Sequence, residues 1–166
     1  MVDLVIERWR EASDRDRLLK IVQPGLIGLI DGTVSTLAPI FAAAYLAGSH
    51  AALLVGLAAA LGAAISMGIS EGLSDDGSLT GRGDSLTRGT ITGIATFVGG
   101  SAHALPFLIN DLGTALAVAY PVVAAELVAI AWVRRRFLGV PLAHSLLQVT
   151  LAGAMVAAVG VAVGQA

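Results

Sequence analysis

Five apolar stretches, each long enough to cross a bilayer, constrain this chain more than anything else in it. Ile21–Leu46 runs for 26 residues with one charge, Asp31, and Ala51–Ser70 for 20 residues with none. Gly89–Asn110 and Leu112–Val133 run for 22 residues each, the first carrying only His103 and the second only Glu126. Gly139–Ala166 has no formal charge. At about 1.5 Å per residue, each reaches across a hydrocarbon core of about 30 Å. Backbone groups in lipid must be paired within their own segment, so these stretches are expected to be helices. The expected fold is an all-α integral membrane protein of five transmembrane helices. Charged residues make up 13% of the chain, against roughly 25% in a soluble domain. The polar side chains needed to cover a water-facing surface are therefore missing.

The bases set an orientation. Arg8, Arg10, Arg15, Arg17 and Lys20 precede the first stretch, Arg82 and Arg88 lie between the second and third, and Arg134, Arg135 and Arg136 between the fourth and fifth. With five crossings, all ten fall on one side. The positive-inside rule makes that side cytoplasmic, so the N-terminus is expected inside and the C-terminus outside. Val2, Val5, Ile6 and Trp9 recur at helical spacing among Glu7, Arg8 and Arg10. Residues 1–20 are therefore expected to form an amphipathic cytoplasmic helix on the membrane surface, ahead of a transmembrane domain at 21–166. No apolar stretch typical of a cleaved signal interrupts residues 1–20. A net charge of −2 offers no basic excess for nucleic acid. The absence of cysteine removes disulfides, thiolate sites and thiol nucleophiles. Five helices rich in glycine and alanine pack closely but make a thin bundle, which favours a homodimer around any polar path.

Ionisable groups at membrane depth are expensive and mark a pathway or a partner. Counted from the expected helix ends, Asp31 lies about 10 Å deep, Met67 about 9 Å and Glu126 about 10 Å, a single layer contributed by three helices. Glu71 stands one turn from Met67 on the same face, at the inner edge of that layer. Hard carboxylates combined with a soft thioether disfavour Mg²⁺ and Ca²⁺ and favour Fe²⁺ or its neighbours. Carboxylates also take up protons when a cation leaves, a ready basis for exchange. Ser35 shares the face of Asp31, and Pro39 frees the Ser35 carbonyl as a further oxygen ligand. The competing structural readings are hydrogen bonding of Asp31 across helices, gap-filling by Met67 and pairing of Glu126 with another helix. His103, about 20 Å from the inner face, is read as a structural or outer-exit residue against a proton relay. Asp75, Asp76 and Asp84 are read as solvated, with attraction of cations to an entrance as the alternative. Gly77 to Gly83 lacks phosphate-loop spacing. No nucleophile–base pair or cofactor motif is visible, so no enzyme activity and no resident cofactor are expected.

Asp31-Gly32-Thr33-Val34-Ser35-Thr36 resembles the first-helix motif of the vacuolar iron transporter family. Ser66-Met67 followed by Glu71-Gly72-Leu73-Ser74 resembles that family's second-helix motif. Gln23-Pro24-Gly25, Asp75-Asp76-Gly77, Gly81-Arg82-Gly83 and His103-Ala104-Leu105-Pro106 are more closely similar to the membrane half of bacterial membrane-bound ferritins. The resemblance implies a homodimer in a bacterial inner membrane, with a metal path between subunits, exporting Fe²⁺ and sometimes Mn²⁺ from the cytosol in exchange for protons. It places the metal-site roles on Asp31, Met67 and Glu71, while Glu126 rests on its depth alone. Ser70 and Gly72 replace the family's Gly and Tyr beside Glu71, and only Ser74 to Arg88 joins the second and third spans where plant-type members carry a long metal-collecting insertion. Only about 20 residues precede the first span, and they hold no pair of Glu-x-x-His motifs for a di-iron centre. A separate ferritin-like iron donor is the expected soluble partner. The alternatives are a transporter of another cation, and a non-transporting anchor for such a partner.

Overall fold

The computed structural model describes residues 12–78 and 80–166, and every regular element among them is helical. The expected surface helix at Val2, Val5, Ile6 and Trp9 lies outside the described residues. A helical lead begins at Ala12, passes through a π-helical turn at Leu18–Val22 and continues into α1 (Gln23–Ser35). After it come α2 (Leu37–Ser74), α3 (Ser85–Ala102), a 3₁₀ turn (Leu105–Leu108), α4 (Leu112–Leu138) and α5 (Leu142–Gly164).

The breaks follow from local chemistry. α1 stops at Ser35, whose carbonyl has lost its helical donor to Pro39. Within α2, Gly48 adopts φ 84°, ψ −174°, which is not helical. The chain reverses there, because a Cβ on Gly56 would lie 2.8 Å from the Ile40 side chain. In one straight helix those two residues would stand about 24 Å apart. Asp84 and Asp111 cap α3 and α4, each accepting from a backbone N–H three residues on at 2.7 Å. Pro106 ends the third apolar stretch as a 3₁₀ turn instead of a continuous helix. The fourth runs past Val133 to Leu138, carrying Arg134, Arg135 and Arg136 on its last turns. Bases are favoured there by the helix dipole, and Gly139 at φ 67° supplies the left-handed stop.

Helix contacts fix the directions. Gly25, Gly28 and Gly32 of α1 meet Ile91, Thr92 and Thr96 of α3 in rising order, so α1 and α3 run parallel. Gly89 and Gly93 of α3 meet Gly68 and Ala64 of α2, so that pair runs antiparallel. Gly160 and Gly164 of α5 meet Ala38 and Ala42, which makes α5 parallel to the first arm of α2. Among the described residues, three helical runs are long and apolar enough to cross a membrane, namely Ala12–Ser74, α4 and α5. α3, rich in threonine and glycine, is not among them and packs along α1 and the second arm of α2.

The described bases collect at one end of the bundle. Lys20 lies against Gly83, Arg82 and Arg88 reach the same carboxylate, and Arg15 and Arg17 share a pocket with Arg136.

The α1–α3 contact is the tightest. A Cβ on Gly32 would stand 2.1 Å from the Thr96 carbonyl oxygen, and one on Gly28 would stand 2.2 Å from that of Thr92. Gly62 on α2 has nothing within 4 Å. Gly32→Ala is expected to destabilise the protein by about 1–3 kcal/mol through overpacking. Gly62→Ala is expected to be neutral or to stabilise by about 0.5–1 kcal/mol, since alanine loses less backbone entropy in a helix. Thermal unfolding of both variants in one detergent checks the contrast.

Candidate functional site

Two buried polar clusters occupy opposite ends of α3. At its start, Arg88 is fully buried although it carries a charge. Its guanidinium donates to Glu71 Oε1 at 3.0 Å, to the Gly83 carbonyl at 2.8 Å and to the Asp75 carbonyl at 2.6 Å. Arg82 adds a second bond to Glu71 Oε1 at 2.6 Å. One carboxylate thus faces two guanidiniums, and the loop 75–83 is folded around them. The loop acids build that fold. Asp75 accepts from the Thr80 hydroxyl and from the Gly77 N–H at 2.8 Å, and Asp76 accepts from the Ser78 N–H at 2.9 Å. The Thr80 and Gly77 bonds hold the Asp75 carboxyl below its usual range, and the Thr87 N–H and hydroxyl do the same for Asp84. These three acids are engaged in local turns and caps.

At the other end, His103 is buried in the core with both ring nitrogens engaged. Nδ1 lies 2.9 Å from Glu126 Oε2, and Nε2 lies 2.9 Å from the Thr36 hydroxyl. That hydroxyl donates in turn to the Gly32 carbonyl at 2.8 Å. A hydrogen-bonded chain therefore crosses the bundle from α4 through the end of α3 to the break after α1. Glu126 Oε1 is buried and has no partner among the described residues. An imidazole held by a carboxylate at one nitrogen and a hydroxyl at the other has the geometry of a proton relay.

Asp31 stands apart from both clusters. Its carboxyl is half-buried and makes no hydrogen bond or ion pair among the described residues, and Ser35, one turn on, is exposed. Met67 is half-buried on α2, beside Gly68, which packs on Gly89 and Gly93. Gly32, next to Asp31, packs instead at Thr96 and Gly100, roughly two turns or about 10 Å farther along α3.

These positions correct the single layer expected from the sequence. Glu71 lies at the level of Arg88 and Glu126 at that of His103, 15 residues later on the same helix. That separation is about 22 Å along the axis. The expected depth of Glu126 counts inward from Val133, whereas α4 ends five residues later at Leu138, about 8 Å farther along its axis from the carboxylate. The order along the bundle is Glu71, Met67, Asp31, then Glu126 with His103. Among the described residues of one chain, no group of three or more His, Cys, Asp or Glu side chains is placed to hold a metal ion.

Two members of these buried clusters escape sequence reading. Arg88 looked like a topology signal, and only its place on the buried stripe with Thr92 and Thr96 hints at its burial. Thr36 stands in the quoted Asp31–Thr36 motif, but nothing in the sequence pairs it with His103. Comparison of the chain with family models, curated proteins and solved structures finds no match.

Arg88→Met removes the buried partner of Glu71 while keeping similar volume. It is expected to cost about 3–5 kcal/mol, because it leaves the carboxylate and two loop carbonyls without their main donor. The double variant Arg88→Met/Glu71→Met is expected to recover part of that loss, as read from thermal unfolding of all three proteins.

Proposed function

We propose that this protein moves a divalent transition-metal cation, Fe²⁺ first and Mn²⁺ second, out of the cytosol in exchange for protons. In this reading it crosses the bilayer five times with the basic end inside, in accord with the positive-inside rule. The resemblance of Asp31 to Thr36 and of Ser66 to Ser74 to the vacuolar iron transporter motifs points the same way.

The observation that carries the reading is Asp31. A carboxylate within an apolar helix, half-open at the side of the bundle and without a partner among the described residues, is costly against lipid. A second copy related by a two-fold axis would bring a second Asp31 opposite the first, with a pair of Met67 thioethers nearer the basic end of the same path. Two carboxylates and two thioethers along it make a mixed hard and soft path, suited to Fe²⁺ or Mn²⁺ and poorly suited to Mg²⁺. The transported ion then supplies the missing countercharge.

The remaining acids take other parts. Glu71, between Arg82 and Arg88, is a closed inner gate, and an entering cation competes with Arg82 for its carboxylate. Glu126 with His103 carries the counter-transported proton, taken up between carboxylate and imidazole, while Thr36 holds the imidazole in place.

In reconstituted vesicles, Asp31→Ala is expected to reduce Fe²⁺ uptake to the level of protein-free vesicles. Met67→Leu is expected to narrow the preference for Fe²⁺ over Mg²⁺. Full uptake by Asp31→Ala would remove the site. For His103→Gln, metal binding is expected to persist while the dependence of uptake on an imposed pH gradient disappears. An unchanged gradient dependence would remove the proton role.

A further inference from the structure

The positive charge at the basic end is unevenly neutralised. Arg82 and Arg88 are paired with Glu71, Lys20 with Asp16, and Arg134 donates to Gln148 at 2.8 Å. Arg15, Arg17, Arg135 and Arg136 make no ion pair or hydrogen bond among the described residues, and Arg15, Arg17 and Arg136 line one pocket of about 320 Å³. The pocket lies between the helical lead and the end of α4. Its only carboxylate among the described residues is Asp14, and its apolar wall is Leu18, Val22 and Phe137. The Arg136 guanidinium stands over the Phe137 ring at 5.3 Å, which fixes its direction.

Three arginines from two elements line the pocket against one carboxylate among the described residues, an excess of positive charge that an anion would balance. Guanidinium groups bind phosphate oxygens through paired donors, so the chemistry that fits is a phosphate. The surroundings choose its source. The pocket sits at the ends of two helical runs apolar enough to cross a membrane. Trp132, exposed one turn before Arg136, lines an adjoining cleft with Arg135 and Arg136. An exposed tryptophan beside bases is the signature of the membrane–water boundary. A soluble phosphate has no use for Leu18, Val22 and Trp132, whereas the glycerol and upper acyl carbons of a lipid do.

We propose that this pocket binds the phosphate headgroup of an anionic phospholipid of the inner leaflet, tying the helical lead to the end of α4. The site depends on the membrane setting of the chain and not on what the bundle transports.

Native mass spectrometry of the full chain in mild detergent tests this, titrating phosphatidylglycerol, phosphatidylcholine and inorganic phosphate in turn. Phosphatidylglycerol is expected to be retained in preference to phosphatidylcholine. Each of Arg15→Gln, Arg17→Gln and Arg136→Gln should weaken its retention about fivefold, with Arg17→Gln/Arg136→Gln about thirtyfold weaker. Lys20→Gln, which removes the same charge from the same end outside the pocket, should leave retention unchanged. Thermal unfolding without added lipid checks that each variant is folded, and the single variants carry the test if the double one is not. Equal loss in Lys20→Gln would reduce the effect to general surface charge and overturn the site. So would equal retention of the two lipids. Displacement of the lipid by millimolar inorganic phosphate would assign the pocket to a soluble anion and overturn the lipid reading.

Discussion

The arrangement of this bundle depends on the direct contact of backbone with backbone between α1 and α3. Gly28 and Gly32 press on the Thr92 and Thr96 carbonyls at a separation that no side chain larger than hydrogen permits. Helices that must associate in lipid gain little from burying apolar surface, so close approach and dispersion take over that task. The contact also fixes register. With Gly32 against Thr96 and Gly100, the break after Ser35 falls beside the end of α3, and Thr36 meets His103.

From that register the two polar clusters follow. α3 carries a buried charge near its start and a buried imidazole just past its end, and each meets an acid from a different helix. Arg88 closes the loop 75–83 onto Glu71, so the chain between the second arm of α2 and α3 is held by side chain and backbone together. His103 joins α4 to α1 through Glu126 and Thr36. In both clusters a desolvated polar group is affordable because hydrogen bonds replace the water it has lost. Asp31 lacks that compensation, and for this reason the transport reading rests on it more than on the other acids. The same logic governs the basic end, where Lys20, Arg82, Arg88 and Arg134 have partners, while Arg15, Arg17 and Arg136 line one pocket with none among the described residues.

What the sequence by itself determined was the class of solvent and the inventory of unusual groups. Charge-poor stretches of 20 or more residues and a shortage of surface-covering polar side chains require helices in lipid. Gly48, Pro106, Asp84, Asp111 and Gly139 punctuate those helices by local chemistry that reads directly from residue type. Asp31, Met67, Glu71, Glu126 and His103 stood out because ionisable and soft groups are rare at such positions. Tertiary structure decided which of them touch. Depth counted along one helix needs the true helix end, and α4 runs five residues beyond Val133, through the three arginines that a helix C-terminus favours. That shift took Glu126 out of the layer with Asp31 and placed it against His103. Hydrogen bonds between helices depend on tilt, register and angular position, which periodicity along a single helix does not encode.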